Sequence, residues 1–325
     1  MTAVSRLELL AFDDSHVPEA GRLLAERHRR HRQAEPLLPS RYEDETQTRA
    51  EVAAAFATEG ASGSVAVRDG RMVGYLVGAP KPATTWGPNR WVESAGHAVE
   101  NAEDVRDLYA SAATRWVDEG ATAHYVLVPA HDDALIGAWF RLAFGHQHTH
   151  AVREIPTTSP RVPEPVVVRR AIRQDIPALA ELEVELPRHH GLAPTFSSGE
   201  LQSYDEAVRE WEEDFDDPEF ATFVAEHDGR VIGSAVGCRL EKSSSHKGLM
   251  KPDTAGFLGF AAVYPDARGL GAGRALGDAV LEWSRSERHS CVATDWRATN
   301  LLSSRAWPAL GFRPTFVRLH RLLGH

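Results

Sequence analysis

Two short runs of this chain share one pattern of apolar and polar positions. Residues 69–79 read DGRMVGYLVGA and residues 228–238 read DGRVIGSAVGC. In each, an Asp-Gly pair stands between an alternating run and an earlier apolar run, residues 64–67 and 222–225. Asp-Gly tolerates the positive φ that a tight hairpin turn demands, so both segments predict β-hairpins. The period then changes. Ala275, Leu276, Ala279, Val280 and Trp283 fall on one helical face and predict an amphipathic helix. Residues 204–215 and 301–310 read as further helices. Residues 257–263 and 291–295 are short apolar strands, and residues 313–321 alternate as a closing strand should. Residues 7–11 and 166–171 read as opening strands.

The pattern repeats in order. AWFRLAF (138–144) matches AWPALGF (306–312), with Asp132 and Asn300 each seven positions before the tryptophan. SHVPEAGRLL (15–24) and RQDIPALAEL (173–182) each place a proline in a first helical turn. Three matches in the same order predict two copies of one domain. Four prolines between Ile155 and Pro165 prevent regular helix and predict an extended spacer. The expected division is 1–155, a linker at 156–165, and 166–325. Strands interleaved with helices give an α/β class.

Composition narrows the function. Apolar residues make up 42% of 325, enough for packed cores. A formal charge of −10 argues against nucleic acid as a partner and is compatible with a cationic substrate. Two cysteines are too few for a disulfide framework or a cysteine-based zinc site. The N-terminus lacks an apolar signal core, and no stretch approaches a membrane span, so a cytoplasmic protein is expected. His146, His148 and His150 alternate along one strand face. A metal site there is conceivable, but an exposed face is the plainer reading, and no metal is expected. The run HRRHR (28–32) reads as a helix end favoured by the dipole.

The central feature is FLGFAAVYPDARGLGAGRALGDAVLEW (257–283). An apolar strand ends at Val263, Pro265 stops the ladder, and three glycines lead into a helix. Bare backbone N–H groups at a helix N-terminus form an anion site, and glycine lets phosphate oxygens approach them. A P-loop is excluded because Arg274-Ala275 follows Gly273 where Lys-Ser/Thr is required. The dinucleotide spacing also fails, since its last glycine falls on Arg274 or Leu276.

Arg268-x-x-Gly271-x-Gly273 resembles instead the pyrophosphate motif of the GNAT acetyltransferase superfamily, and Asn300…Trp307…Gly311-Phe312 resembles its downstream block. The resemblance is close over 257–320 and extends through the repeat. It implies two tandem GNAT-like domains, each a mixed, mostly antiparallel sheet flanked by helices. It implies acetyl-CoA as co-substrate, its pantetheine arm pairing with Ala261, Ala262 and Val263. Its pyrophosphate would lie on Arg268, Gly269, Leu270, Gly271, Ala272, Gly273 and Arg274, and Asn300 would approach the thioester. The implied reaction is direct attack by a small-molecule amine on the acetyl group.

One position departs from the family. The usual proton donor is a tyrosine where Trp307 stands, and an indole is no acid near neutral pH. Ser303 and Ser304 share a helical face with Asn300; the candidate substitute is the Ser304 hydroxyl or a water, or the thiolate leaves without an acid. Trp307 reads more readily as a core anchor, since Trp139 repeats it. Glu241, His246 and Asp253 are candidate bases. After the strand read at 90–99, the first half has ENAEDVRD in place of the glycine turn. Its carboxylates would repel pyrophosphate, so this half is expected to be structural or to shape the acceptor pocket, the rival reading being that it binds another ligand without pyrophosphate. The alternatives are a coenzyme-binding sensor without turnover, or acyl transfer to a different acceptor, as in the similar tandem architecture of mycothiol synthase. The assembly expected is a monomer or homodimer.

Overall fold

The computed structural model describes residues 7–157, 165–197, 199 and 202–324. Most of the linker read at 156–165 lies outside the described residues. The chain folds as two compact units. The first comprises Met1–Thr149, Lys247–Pro252 and Pro314–His325, and the second His150–His246 and Asp253–Arg313.

The first unit contains β1 (Glu8–Ala11), α1 (Val17–Ala34), α2 (Glu45–Phe56), β2 (Ser62–Arg68), β3 (Arg71–Gly78) and α3 (Ala83–Trp86). It continues with β4 (Asn89–Val92), β5 (His97–Val99), α4 (Asp104–Asp118), β6 (Ala123–Pro129), α5 (Asp133–Phe140) and the start of β7 (Gly145–Glu154). β2 and β3 form the expected hairpin, with Asp69 at φ 53° and Gly70 at φ 74°. The order of one sheet is β1-β2-β3-β5.

The segment read as one strand over 90–99 is two. β4 runs parallel to β6, whereas β5 runs antiparallel to β3. The chain turns at 93–96, where the Gly96 N–H donates to Glu93 O at 2.8 Å. A Cβ on Gly96 would stand 2.6 Å from Val77 O, so only glycine fits. β5 therefore leaves the sheet edge that β4 occupies.

Side chains of the unit's own core fill that divergence. The Arg27 guanidinium donates to the carbonyls of Ser94 and His97, and His97 Nε2 donates to Leu127 O at 2.8 Å. His97 is fully buried. The basic run at 28–32 lies at the end of α1, as expected, with His31 and Arg32 in its last turn, and both His28 and His31 are buried. His28 Nε2 meets Pro39 O at 2.8 Å, and the His31 ring stacks on His131 at 4.6 Å. Backbone carbonyls supply the partners that make such burial tolerable.

The second unit takes β7 from His150, then β8 (Val167–Arg170), α6 (Ile176–Gly191), α7 (Tyr204–Asp214), β9 (Phe220–His227) and β10 (Arg230–Arg239). β11 (Gly256–Val263), α8 (Ala272–Ser286), β12 (Cys291–Arg297) and α9 (Ser303–Ala309) complete it. The pairs β8–β9, β9–β10 and β10–β11 are antiparallel, and β11–β12 is parallel. Of the predicted face of α8, Ala275, Leu276 and Val280 are buried and Ala279 and Trp283 half-buried, with Leu281 buried beside them. Each of Leu276, Val280 and Leu281 contributes roughly 1.5–3 kcal/mol by leaving water. Gly277 lets α9 close in, since a Cβ there would stand 2.5 Å from Leu310 Cδ2.

The closing strand β13 (Arg313–Leu322) was read with the second half, yet from Pro314 it belongs to the first unit. It pairs antiparallel with β6, from Phe316 opposite Pro129 to Leu322 opposite Ala123. Among the described residues no helix is long and apolar enough to cross a membrane.

The buried histidines predict acid sensitivity of the first unit. Burial lowers His97 from 6.5 to about 3 and His28 from 6.5 to about 4. Above 6.5 both are neutral, folded or unfolded. Below it the unfolded chain binds protons that the folded chain refuses, so stability falls by roughly 1.4 kcal/mol per histidine per pH unit. Urea midpoints should drop between about pH 7.5 and 5.5, and His97→Gln should flatten the drop. A flat wild-type midpoint across that range would contradict the burial.

Candidate active site

The second unit places its chemistry where β11 parts from β12. Their parallel pairing covers Gly256, Phe257 and Leu258 only, and Thr294 Oγ1 caps its end by donating to Leu258 O at 2.9 Å. On the other edge β11 stays paired with β10, with a shift that sets Val236 opposite Phe260 and Gly237 opposite Leu258. Gly259 is the extra residue of a β-bulge. Bulges bend a strand and raise its twist. From Gly259 onward β11 thus presents backbone groups to a gap instead of to β12.

The strand then leads into the glycine turn. Pro265 opens a short 3-10 turn, Gly269 lies at φ 91°, and Gly271 lies at φ 84° as the N-cap of α8. An L side chain at these two positions would be strained. Gly271 offers no side-chain cap, so the first N–H groups of α8 are open to an outside acceptor.

A cavity of about 400 Å³ joins the gap to the turn. Of the residues singled out from sequence, Ala261, Ala262, Val263, Arg268, Gly269, Gly271, Ala272, Gly273, Asn300 and Trp307 line it. Leu270, Arg274 and Ser304 do not. Leu270 packs on the core, and Arg274 is exposed with Nε 3.9 Å from Asp278. Ser303 lines the wall where Ser304 was expected, and the Ser304 N–H donates to Asn300 O at 2.9 Å. Trp307 is buried in the core as well as touching the cavity, its ring edge-on to Phe312 at 6.2 Å.

α6 supplies residues that the sequence reading missed. Glu185, Leu186 and His189 line the same cavity. His189 Nε2 lies 3.2 Å from Asn300 Oδ1, and Asn300 Nδ2 lies 3.3 Å from His190 Nε2. An amide oxygen accepts and an amide nitrogen donates, so His189 carries its proton on Nε2 and His190 accepts there. Two histidines thereby fix the orientation of Asn300. They stand 111 and 110 residues from it in sequence, with no local signal of the contact.

None of Glu241, His246 and Asp253 lines this cavity. His246 is buried, with Nδ1 2.9 Å from Ser243 Oγ. The alternating histidines do not share one environment: His146 is exposed, whereas His150 is buried. Side-chain atoms of His150, His246 and Asp295 lie within 4.8 Å of one another, and Ser245 Oγ donates to Asp295 at 2.9 Å.

The corresponding place in the first unit has the predicted carboxylates, already engaged. Asp104 pairs with Arg68 at 2.9 Å, Glu103 with Arg106 at 3.2 Å and with Arg141, and Glu100 with Arg71.

A strand bent from its parallel neighbour, a bare glycine turn at the next helix and an oriented asparagine beyond thus frame one cavity. Residues 186–312 match the acetyltransferase (GNAT) family model. The chain is 31% identical over 172 residues to the mycothiol acetyltransferase of Cellulomonas flavigena, covering 51% of this chain and 46% of that protein. It thus spans about half the length of the curated relative it matches. In fold it is similar to a GCN5-related N-acetyltransferase from Sphaerobacter thermophilus, with TM-score 0.55 and 14% identity over 97% of this chain and 95% of that one. It is also similar to the GCN5-related glucosamine N-acetyltransferase region of a fungal multi-domain GH3 β-N-acetylglucosaminidase. That match has TM-score 0.50 and 12% identity over 98% of this chain and 38% of the other. Two tandem GNAT-like domains account for such whole-chain matches.

Proposed function

We propose that the chain transfers the acetyl group of acetyl-CoA to the amino group of a small molecule by direct attack. The observation that carries this reading is the single cavity running from the parted edge of β11 to the uncapped start of α8. An extended arm can add to β11 as a strand does, through main-chain hydrogen bonds along Ala261, Ala262 and Val263. A pyrophosphate at the far end meets open N–H groups, the helix dipole and Arg268. The acetyl carbonyl then falls beside the bulge, where a backbone N–H can steady the developing oxyanion.

The amine nitrogen bonds to the acetyl carbon, the carbon–sulfur bond breaks, and the electron pair leaves on sulfur. Trp307 cannot supply the proton that sulfur needs. His189 can. Protonated imidazole has two N–H donors, so one can hold Asn300 while the second serves the thiolate.

Gly273→Glu separates folding from binding. A carboxylate in the first turn of α8 suits the helix dipole, and the added Cβ meets nothing closer than Val263 Cγ2 at 3.9 Å. Thermal stability should therefore hold while acetyl-CoA affinity, read by calorimetry, falls by at least about 100-fold, or roughly 2.7 kcal/mol. Retained affinity would place the anion elsewhere.

His189→Gln keeps a donor for Asn300 but cannot move a proton. It should lower kcat for thiol release by about tenfold to 100-fold with acetyl-CoA affinity unchanged within about threefold. An unchanged kcat would remove His189 from proton transfer. Binding of acetyl-CoA with slow hydrolysis alone across a broad amine panel would favour a sensor over an enzyme.

A further inference from the structure

A second cavity of about 410 Å³ lies in the same unit, walled by α6, α7 and the face of β9, β10 and β11. Gly259 and Phe260 line it, and the next two residues of β11, Ala261 and Ala262, line the first cavity. α6 likewise gives Glu183 to the second and Glu185 to the first. The two spaces therefore abut at the bulge, the point where the acetyl carbonyl is expected.

The wall has a definite chemistry. Trp211, Phe215, Phe220 and Phe257 make it aromatic. Glu183, Glu210 and Asp214 make it acidic. Its one cation, Lys242, is ion-paired with Glu219, which neutralises it locally. Aromatic faces and carboxylates together attract an ammonium group and an apolar body, and they repel carboxylates and phosphates. The buried Trp211 indole N–H faces the Glu183 carboxylate and favours its charged form.

We infer that this second cavity is the acceptor site, that it selects a small amine cationic in solution with an apolar or aromatic body and no acidic group, and that Glu183 takes a proton from its ammonium. The inference rests on the acetyl-transfer reading above. Glu183 is half-buried, and its carboxyl is pushed above the usual range by burial, opposed by Trp211 and assisted by Glu210. Such a carboxylate is a better base than a solvated one. The other ionisable groups on the wall are Asp214 on α7, the Lys242–Glu219 pair, and Cys238 on β10, whose buried thiol is pushed up to about 11. β9 and β11 contribute no charge to it. An ammonium acceptor must lose two protons. One goes to Glu183 and on to solvent, and the other ends on the coenzyme sulfur, leaving amide, free thiol and one released proton.

The full chain with acetyl-CoA should be assayed by thiol release on matched pairs, phenethylamine against phenylalanine and hexylamine against 6-aminohexanoate. The inference expects each simple amine to exceed its carboxylated partner in kcat/KM by about 100-fold or more. Glu183→Gln should lower kcat for phenethylamine by about 100-fold or more and abolish the acid limb of its pH profile, with acetyl-CoA affinity retained as proof of folding. Asp214→Asn should raise KM for phenethylamine with kcat little changed. Calorimetry of phenethylamine on the CoA-loaded chain reads the site without turnover. Binding that Glu183→Gln weakens, without acetylation, would keep the site and sink the acetyl-transfer reading. Acetylation that ignores the added carboxylate, or that survives Glu183→Gln, would sink the inference and leave that reading intact. Neither binding nor turnover on the panel would sink the inference as well.

Discussion

The parting of two parallel strands organises everything else in the second unit. β11 and β12 pair for three residues and then separate at Gly259, because the bulge turns β11 while β10 holds its other edge. A gap between adjacent strands is costly unless something satisfies the exposed backbone. The open cavity, the bare turn and the oriented Asn300 all surround that gap, and each makes sense as provision for an extended, anionic occupant.

The first unit shows the same geometry settled differently. β4 follows β6 and β5 follows β3, so its strands also part. There Arg27 and His97 supply the missing hydrogen bonds from within, and carboxylates paired to arginines occupy the start of α4. The two units thus differ in which residues stand at the fork. Trp139 and Trp307 occupy matching places in the two cores, consistent with a packing role for both.

Local features of this fold were legible in the sequence and distant ones were not. Asp-Gly hairpins, the face of α8 and the glycine turn depend on neighbours within a few residues, and each was found where its pattern put it. The alternation of 313–321 identified a strand but could not name β6 as its partner, because period two specifies a face and not a neighbour. The turn at 93–96 was missed although Ser94, Ala95 and Gly96 are all small, since apolar residues continue on both sides. At 28–32 the helix end was legible, but not the burial of His28 and His31 by carbonyls and stacked rings. At the candidate site the turn was legible, whereas the contacts of His189 and His190 with Asn300 join segments more than a hundred residues apart.

Opposite charges are sorted along β11. The turn end offers N–H groups, a helix dipole and Arg268, which suit a polyanion. The other side offers carboxylates and aromatic faces, which suit a cation. Were the two environments mixed, each substrate's charge would be attracted to the other's site. The bulge keeps them apart by one or two residues, and the bond to be made lies on that boundary. The proton steps divide the same way. In the proposed reaction Glu183, raised by burial, serves the amine, and His189, six residues further along α6, serves the sulfur. A single helix, held against the sheet, thus sets the distance between the group that removes a proton and the group that supplies one.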